Sequence, residues 1–321
     1  MKKRNIFGAL FILTTFGACK DQLDKMPLAS YVNENFWTSE SNTMLALTGM
    51  YRGGIQMTPA PTTNAEFAPT DWWSYHGLIM METATDNAYD RRGENAAFNV
   101  LTNGNLTTSN ANISLYWAQS YARIARANYF MENITKAPLP DNLLKRFTAE
   151  GRFIRATQYF YLSQFFGSVP LVKNTLTLQE ANTVSKAPQK EVLDYAISEL
   201  IAAANDLPAD AQIPSSERGR ASKQAALAFL GRAQLGGGYF KDAAATYKSI
   251  IDLGENIIDQ DYSSLFNGAN ESSKEILFAT QYVKDQAPNA MSQHFFPAIS
   301  GGWHLFNPLG SIYESFEFKD G

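Results

Sequence analysis

The sequence predicts a mainly all-α protein, a solenoid of paired helices interrupted by long irregular loops. Apolar residues recur at spacings of three and four along several stretches between residues 117 and 253, which is the period of one helix face. Residues 53–112 lack this period and carry Pro59, Pro61, Pro69 and several glycines, which predicts a long irregular segment. The chain has 321 residues, enough for one large domain or two moderate ones.

The helices are predicted in order from their caps and apolar faces. The first follows the N-cap types of Thr38–Ser41 and carries Met44–Tyr51. A second has Trp117, Tyr121, Ile124, Asn128 and Met131 on one face. A third, 143–166, is apolar on more than one face, which predicts burial among other helices, and ends at Gly167 and Pro170. A fourth spans 192–204, and two more, 222–235 and 241–253, are joined by Gly236–Gly238.

The last two helices resemble a tetratricopeptide repeat at about 222–255. Leu227, Leu230 and Gly231 match the first helix of that pattern, and Ala243 and Tyr247 match the small and aromatic positions of the second. Gly231 and Ala243 would let the two helices approach closely. The helices at 143–166 and 191–206 are candidates for a degenerate repeat, so we expect a tetratricopeptide-like α-solenoid scaffold with long irregular ligand-binding loops.

The N-terminus is typical of a secretory leader. Met1–Arg4 is basic, Ile6–Phe16 is apolar, and the small pair Gly17-Ala18 precedes Cys19, the single cysteine. We therefore predict a signal peptide over 1–18, a lipidated Cys19 with a tether to residue 35, and one domain over 36–321. Phe16 stands where a bacterial lipobox usually has leucine, so the alternative is an ordinary secretory signal. Lipidation of Cys19 leaves no cysteine for a disulfide.

Composition excludes several classes of function. The net charge is −4 and no basic cluster follows the leader, which disfavours nucleic-acid binding. No later apolar run is long enough for a transmembrane helix. The sequence has no nucleotide-binding glycine loop and no G-x-S-x-G or H-E-x-x-H motif, and its three histidines lack metal-ligand spacing. The residues therefore give no sign of a metal site or of these catalytic motifs.

Motifs along nearly the whole chain resemble the SusD/RagB family of Bacteroidetes outer-membrane lipoproteins. The most distinctive motif runs from Glu150-Gly151-Arg152 through Tyr159-Phe160 to Gly167-Ser168-Val169-Pro170. The others are the leader with Cys19, Asn35-Phe36-Trp37, Gly49-Met50-Tyr51, Trp117–Asn128, Gly219–Ala226 and Lys274–Phe278. Family members are longer, and 316–321 looks like a mid-chain family segment, so the chain is expected to be a fragment or a truncated product.

The resemblance implies a binding protein with no catalytic residues and no cofactor. Such lipoproteins capture oligosaccharides, and sometimes peptides, for a partner SusC-like TonB-dependent transporter. They are anchored in the outer membrane by lipid, and Asp21 and Asp24 after the cysteine are similar to a signal for export to the cell exterior. A tetratricopeptide-type interaction scaffold remains the alternative from another class, and a secreted hydrolase is a third.

Asp71-Trp72-Trp73-Ser74-Tyr75-His76 has the composition of a carbohydrate platform. Flat aromatic faces stack on the apolar faces of sugar rings, and adjacent polar side chains bind the hydroxyl groups. Asp71, Trp72, Trp73 and Tyr75 are therefore candidate ligand-binding residues. The alternative is that the aromatic side chains pin a long loop onto the helical body.

Two further segments supply candidates for ligand binding. The charged turn Tyr89–Asn95 contributes Tyr89, Arg91, Arg92 and Asn95, which the resemblance places in a ligand-contacting region; the alternative is a solvated turn whose charges pair with one another. Trp303 follows Gly301-Gly302 and is either presented to ligand or packed in its loop. Glu150, Arg152 and Arg155 lie on the predicted buried helix, so we expect structural ion pairs there, and we interpret the Phe166–Leu171 turn as structural.

Overall fold

A computed structural model describes residues 36–52, 75–96, 99–282 and 291–316. The structure is 61% helix and 4% strand, which confirms the mainly all-α prediction. The predicted leader, Cys19, the tether and the candidate residues Asp71, Trp72 and Trp73 lie outside the described residues.

The described elements alternate long helices with short helices and two-stranded ribbons. The helices are α1 (Glu40–Arg52), α2 (Tyr75–Glu82), α3 (Ala111–Asn133), α4 (Asp141–Phe166), α5 (Leu178–Thr183), α6 (Gln189–Asp206), α7 (Lys223–Gly236), α8 (Phe240–Leu253), α9 (Met291–Phe295) and α10 (Gly310–Ser315). The strands are β1 (Ala88–Asp90), β2 (Val169–Pro170), β3 (Lys186–Ala187) and β4 (Phe306–Pro308), with β1 antiparallel to β4 and β2 antiparallel to β3.

Helix α4 lies at the centre of the structure. The long helices α3, α4, α6, α7 and α8 pack each against the next, and α1 packs against α3 and α4. Residues on several faces of α4 are buried, among them Phe147, Phe153, Ile154, Tyr159 and Leu162. The burial agrees with its apolar character on more than one face, and α4 ends at Gly167, whose φ of 71° favours glycine.

A buried carboxylate joins three parts of the fold. Glu150 accepts hydrogen bonds from the Tyr51 hydroxyl of α1 (2.7 Å), from Arg146 Nε one turn earlier (3.1 Å) and from Arg220 Nη1 ahead of α7 (3.2 Å). The Tyr51 hydroxyl in turn accepts the Ala221 N–H at 2.8 Å. Burial raises the pKa of the Glu150 carboxyl, and the Arg220, Tyr51 and Arg146 contacts oppose that rise.

A second polar cluster ties α4 to α3 and α6. Arg155 donates to Glu199 of α6, to Asn128 Oδ1 of α3 (2.7 Å) and to the Lys173 carbonyl (3.0 Å), while Arg152 donates to Glu199 at 2.9 Å. Asn128 donates to the carbonyls of Val172 and Asn174, so the segment that follows β2 is held by side chains. The structural ion pairing predicted for Glu150, Arg152 and Arg155 is confirmed.

The pair α7–α8 has the close approach predicted for a tetratricopeptide-like repeat. A Cβ atom added at Gly231 would lie 2.5 Å from Tyr247 Cε1 across the helix pair, so a larger residue there meets an aromatic ring. Ala243 is buried, and the Ser222 hydroxyl accepts the Ala225 N–H as the N-cap of α7. Gly254 ends α8 in the left-handed conformation.

Four short helices of the described part of the chain, α2, α5, α9 and α10, were not predicted from the sequence, and the first two show why. The stretch 53–112 was predicted to be irregular, but α2 occupies Tyr75–Glu82, and α5 at Leu178–Thr183 was not predicted. Helix α2 contains Gly77 and a continuous apolar run, so it has no amphipathic period from which to recognise it. Helix α5 has only six residues, and its capping box of Thr177 and Glu180 is its main local signal. No helix in the described ranges is both long and apolar enough to cross a membrane.

Replacing the buried carboxylate should strongly destabilise the protein. Glu150→Ala leaves Arg146 and Arg220 facing a site without its central charge, so we expect the free energy of unfolding to fall by about 3–5 kcal/mol. Urea denaturation measures this. Asp252→Ala, which removes an exposed pair with Lys248 on α8, is the matched control and should cost about 0.5 kcal/mol or less. A Glu150→Ala variant as stable as Asp252→Ala would contradict the central role of this carboxylate.

Two glycine substitutions should have opposite effects. Gly231→Ala forces the Tyr247 ring to move, so we expect a loss of about 1–3 kcal/mol in the free energy of unfolding. Gly49→Ala, exposed in α1 with open space around the added Cβ, should stabilise by about 0.5–1 kcal/mol, because alanine loses less conformational freedom than glycine in a helix. Thermal and urea unfolding of both variants checks this; equal effects would show that the α7–α8 contact tolerates a Cβ.

Candidate functional site

A short ribbon brings together two loops that the sequence singles out separately. Strand β1 pairs antiparallel with β4, with Tyr89 opposite Asn307 and Asp90 opposite Phe306. The Arg91 N–H continues the pairing by donating to the Leu305 carbonyl at 2.8 Å. The charged turn that begins at Tyr89 therefore lies beside the loop that carries Trp303, although more than 200 residues separate them.

The buried Asp90 carboxylate organises the charged turn. Its side chain is 2% exposed, and it accepts hydrogen bonds from the Arg92 N–H (3.0 Å) and from the Arg92 guanidinium, whose Nε lies 2.9 Å from Oδ1. Burial favours the neutral acid, but the hydrogen bonds and charge of Arg92 outweigh it and lower the pKa of Asp90. Arg92 is 40% exposed, and its pairing with Asp90 agrees with the alternative in which charges within the turn neutralise one another.

The Asn99 side chain stabilises the same turn through hydrogen bonds to its backbone. It is buried, and its side-chain amide donates to the carbonyls of Asp90 (2.8 Å) and Gly93 (2.9 Å), while its Oδ1 accepts the Asp90 N–H at 3.3 Å. One side chain thus satisfies three backbone groups that the irregular segment leaves without ladder partners. The sequence analysis did not identify Asn99, because an asparagine in a polar loop carries no distinguishing pattern.

Backbone hydrogen bonds join the Trp303 loop to α9 and to the residue that follows α9. The N–H groups of Trp303, His304 and Leu305 donate to the carbonyls of Gln293, Phe296 and His294, respectively. Gly302 approaches so closely that an added Cβ would lie 2.0 Å from the Phe296 carbonyl oxygen. Gly301 has a φ of 80° and His304 a φ of 47°, so the chain turns through left-handed conformations on both sides of Trp303.

Arg91 contacts this loop directly. Its Nη2 donates to the Trp303 carbonyl at 3.0 Å, and its Nε donates to the His304 carbonyl. The side chain therefore binds backbone atoms of the loop that presents the tryptophan.

Two aromatic rings of the paired loops are available to solvent. Tyr89 is 42% exposed and Trp303 is 47% exposed. One edge of Trp303 meets buried His294 at 5.0 Å between ring centroids and 74° between planes, so the indole is supported on one side while about half of it stays open. Exposed aromatic surface supported in this way suits stacking on a flat ligand.

An apolar groove of about 320 Å³ lies beside the ribbon. Its lining is mostly aromatic and aliphatic, with Asn87, Asn307 and Glu82 as polar members, and consists further of Ala88, Phe295, Phe306, Pro308, Ile312, Tyr313 and Phe316. The groove lies among α9, β4 and α10, and the sequence analysis did not anticipate it, because its residues carry no shared motif.

The candidate residues divide into two groups. The structure brings together Tyr89, Arg91, Arg92 and Trp303. Asp71, Trp72 and Trp73 lie outside the described residues, as do the side chains of Tyr75, the first residue of α2, and Asn95, in the turn after β1. Their assignment to the site stays a prediction.

The described side chains favour non-covalent binding. Within the described ranges, no group of three or more His, Cys, Asp or Glu side chains is placed to hold a metal ion. The site offers exposed rings, guanidinium donors and amide groups, which are the side chains that bind a polyhydroxylated ligand without reacting with it.

Comparison with protein families matches residues 71–235 to the SusD-like model described as "Starch-binding associating with outer membrane". The matched residues include the aromatic segment 71–76, the charged turn that begins at Tyr89, and the helices from α2 to α7. Trp303 lies beyond it.

Three individual proteins illustrate this similarity. SusD-like protein P2 of Formosa agariphila is 25% identical over 338 residues, covering 100% of this chain and 63% of that protein. A crystal structure of a SusD-like carbohydrate binding protein from Bacteroides fragilis is 47% identical, with a TM-score of 0.81, and the match covers 89% of this chain and 55% of that one. The surface glycan-binding protein A of Bacteroides fluxus shares the fold, with 19% identity and a TM-score of 0.69 over 87% of this chain and 62% of that one. The chain spans between half and two thirds of these relatives' lengths.

Removing the Asp90 charge should weaken the ribbon in a pH-dependent way. The folded state lowers the pKa of Asp90, so its stabilisation is fully present above the ordinary aspartate value of about 4 and is lost as pH falls through the lower folded value. We expect Asp90→Asn to cost about 1.5–3 kcal/mol at pH 7, with the difference from wild type shrinking below pH 4. Urea denaturation at several pH values measures it. Glu94→Gln, exposed in the same turn, should stay within about 0.5 kcal/mol of wild type; a pH-independent effect of Asp90→Asn would rule out the charge as its cause.

Proposed function

Because the chain belongs to the SusD-like family, we propose that it captures a glycan at the cell surface for import by a partner transporter. Proteins of this family are carbohydrate-binding and non-catalytic, and the family is associated with the outer membrane. Its members include the carbohydrate binding protein of Bacteroides fragilis, to which this chain is 47% identical.

The observation that carries the proposal is the pair of exposed rings on the β1–β4 ribbon. Tyr89 and Trp303 come from loops far apart in sequence, and each leaves roughly half of its surface open. Stacking on an aromatic face removes the apolar face of a sugar ring from water, which favours binding. Each exposed ring can stack on one sugar ring, which supports an oligosaccharide as the ligand.

Hydrogen-bonding groups surround the platform. Arg92 is partly exposed beside Tyr89, and Asn307 lies directly opposite Tyr89 on the neighbouring strand. Guanidinium and amide groups bind sugar hydroxyls in a directional way, which is how a site distinguishes one glycan from another. We propose that Asp71, Trp72, Trp73, Tyr75 and Asn95, from the irregular segment that precedes or adjoins the ribbon, complete the site.

The anchor and the partner belong to the same proposal. Cleavage after residue 18 and lipidation of Cys19 would tether the domain to the outer membrane through residues 19–35, with its binding face towards the cell exterior. The import partner would be a SusC-like TonB-dependent transporter, because a lipid-anchored binding protein cannot itself move a ligand across the membrane.

A peptide is the second candidate ligand, and the apolar groove favours it. Its lining of Phe295, Phe306, Tyr313 and Phe316 suits an apolar side chain better than a hydroxylated ring. A peptide array run beside the glycan panel separates the two ligand classes. Peptide binding that is lost in Tyr313→Ala but kept in Trp303→Ala would favour the groove over the platform.

Glycan binding and its loss in ring variants test the proposal. We expect the chain without its leader to bind at least one oligosaccharide in a panel that includes malto-oligosaccharides and laminarin oligosaccharides, measured by calorimetry. Trp303→Ala and Tyr89→Ala should each weaken binding about tenfold or more, because 1.4 kcal/mol corresponds to a factor of ten.

Tyr262→Ala is the matched control, since Tyr262 is an exposed aromatic residue in the turn after α8 and should leave affinity unchanged. Far-ultraviolet circular dichroism establishes that each variant is folded. Absence of binding to every glycan and peptide, together with failure to co-purify a TonB-dependent transporter from outer membranes, would overturn the proposal and favour a protein-interaction scaffold.

A further inference from the structure

The loop that presents Trp303 has a backbone that needs outside support. Its N–H groups are satisfied by the 293–297 segment, but this leaves the carbonyls of Trp303, His304 and Leu305 to find donors elsewhere. His304 also has a φ of 47°, a conformation that a residue with a side chain keeps only where its surroundings impose it. The hydrogen-bond donors to these carbonyls therefore help to fix the position of the Trp303 indole.

Arg91 provides donors to all three carbonyls. Its main-chain N–H donates to Leu305 (2.8 Å), its Nη2 to Trp303 (3.0 Å) and its Nε to His304. These carbonyls belong to consecutive residues, so the side chain and the main chain of Arg91 together bind three adjacent positions of the loop. The planar guanidinium has its N–H donors in a fixed fork, whereas a lysine ammonium has one point of attachment.

We propose that Arg91 is a positioning residue for ligand binding, acting through Trp303 rather than by touching the ligand. The effect on ligand binding rests on the proposed function. The contacts of Arg91 with the Trp303 loop do not, because they are present in the protein without ligand. It assigns to Arg91 a role different from that of its neighbour Arg92, although both are exposed arginines of one turn.

Arg92 offers a matched control within the same turn. It carries the same charge, but its guanidinium binds Asp90 and not the Trp303 loop. Replacing either arginine with lysine leaves the net charge unchanged. A difference between the two variants therefore reports the contacts with the loop and not the local potential.

Fluorine NMR of protein labelled with 5-fluorotryptophan measures the position of the indole without any ligand. Trp303→Phe identifies the Trp303 resonance among the five tryptophans. We expect Arg91→Ala to shift or broaden that resonance and leave the signals of buried Trp37 and of Trp117 unchanged, which also establishes that the body is folded. Arg91→Lys should shift it too, because charge alone does not replace the fork, while Arg92→Lys, which keeps a cation beside Asp90, should leave it in place.

A double-mutant cycle then distinguishes positioning from ligand contact. If Arg91 acts through Trp303, the Arg91→Ala/Trp303→Ala variant should bind the selected oligosaccharide as weakly as Trp303→Ala alone, although Arg91→Ala by itself weakens binding severalfold. Losses that multiply would identify a direct ligand contact and overturn the proposal. An unchanged Trp303 resonance in Arg91→Ala would also overturn it. If the wild-type chain binds no glycan, glycan capture is contradicted and the NMR result alone decides the role of Arg91.

Discussion

The buried Glu150 carboxylate is the interaction on which the rest of the structure depends. It stands on the central helix α4 and holds Tyr51 of α1 and Arg220 ahead of α7, while Arg146 links it to Glu217. Since a buried charge is costly without partners, these elements must be present together for the carboxylate to be accommodated. The network therefore fixes how the first helix and the tetratricopeptide-like pair α7–α8 sit against the core, beyond what non-directional apolar packing would specify.

The second polar cluster extends the same principle to the chain that leaves α4. Arg155, Asn128 and Tyr159 bind backbone groups of residues 172–174, so the segment after Gly167 follows a defined path without a large sheet. Irregular backbone is tolerated near the core when side chains satisfy its polar groups. Both clusters lie on α4, which makes this helix the structural scaffold for the segments packed around it.

Side-chain hydrogen bonds also stabilise the β1–β4 ribbon, which carries the candidate platform at the surface. Asp90, Asn99 and Arg91 each form hydrogen bonds with backbone groups or charged side chains of the loops. These contacts require neither a repeat nor a long strand. A site built from loops far apart in sequence gains its geometry from such contacts, and its specificity can change by substitution in either loop while the helices stay the same. The apolar groove beside α10 adds a second surface whose chemistry differs from that of the platform.

The helices and their caps were determined by local sequence, because an apolar period of 3.6 residues, the Ser222 cap and Gly254 act within a few residues. The predicted leader, the aromatic and charged candidates and the family resemblance were likewise identified from short motifs. The sequence left open whether the charges of the turn pair with one another. Only the tertiary structure decided that Arg91, and not Arg92, contacts the Trp303 loop, and that His294 supports the indole. These contacts join residues whose partners no period or spacing indicates, since backbone pairing between β1 and β4 depends on how the helices between them fold.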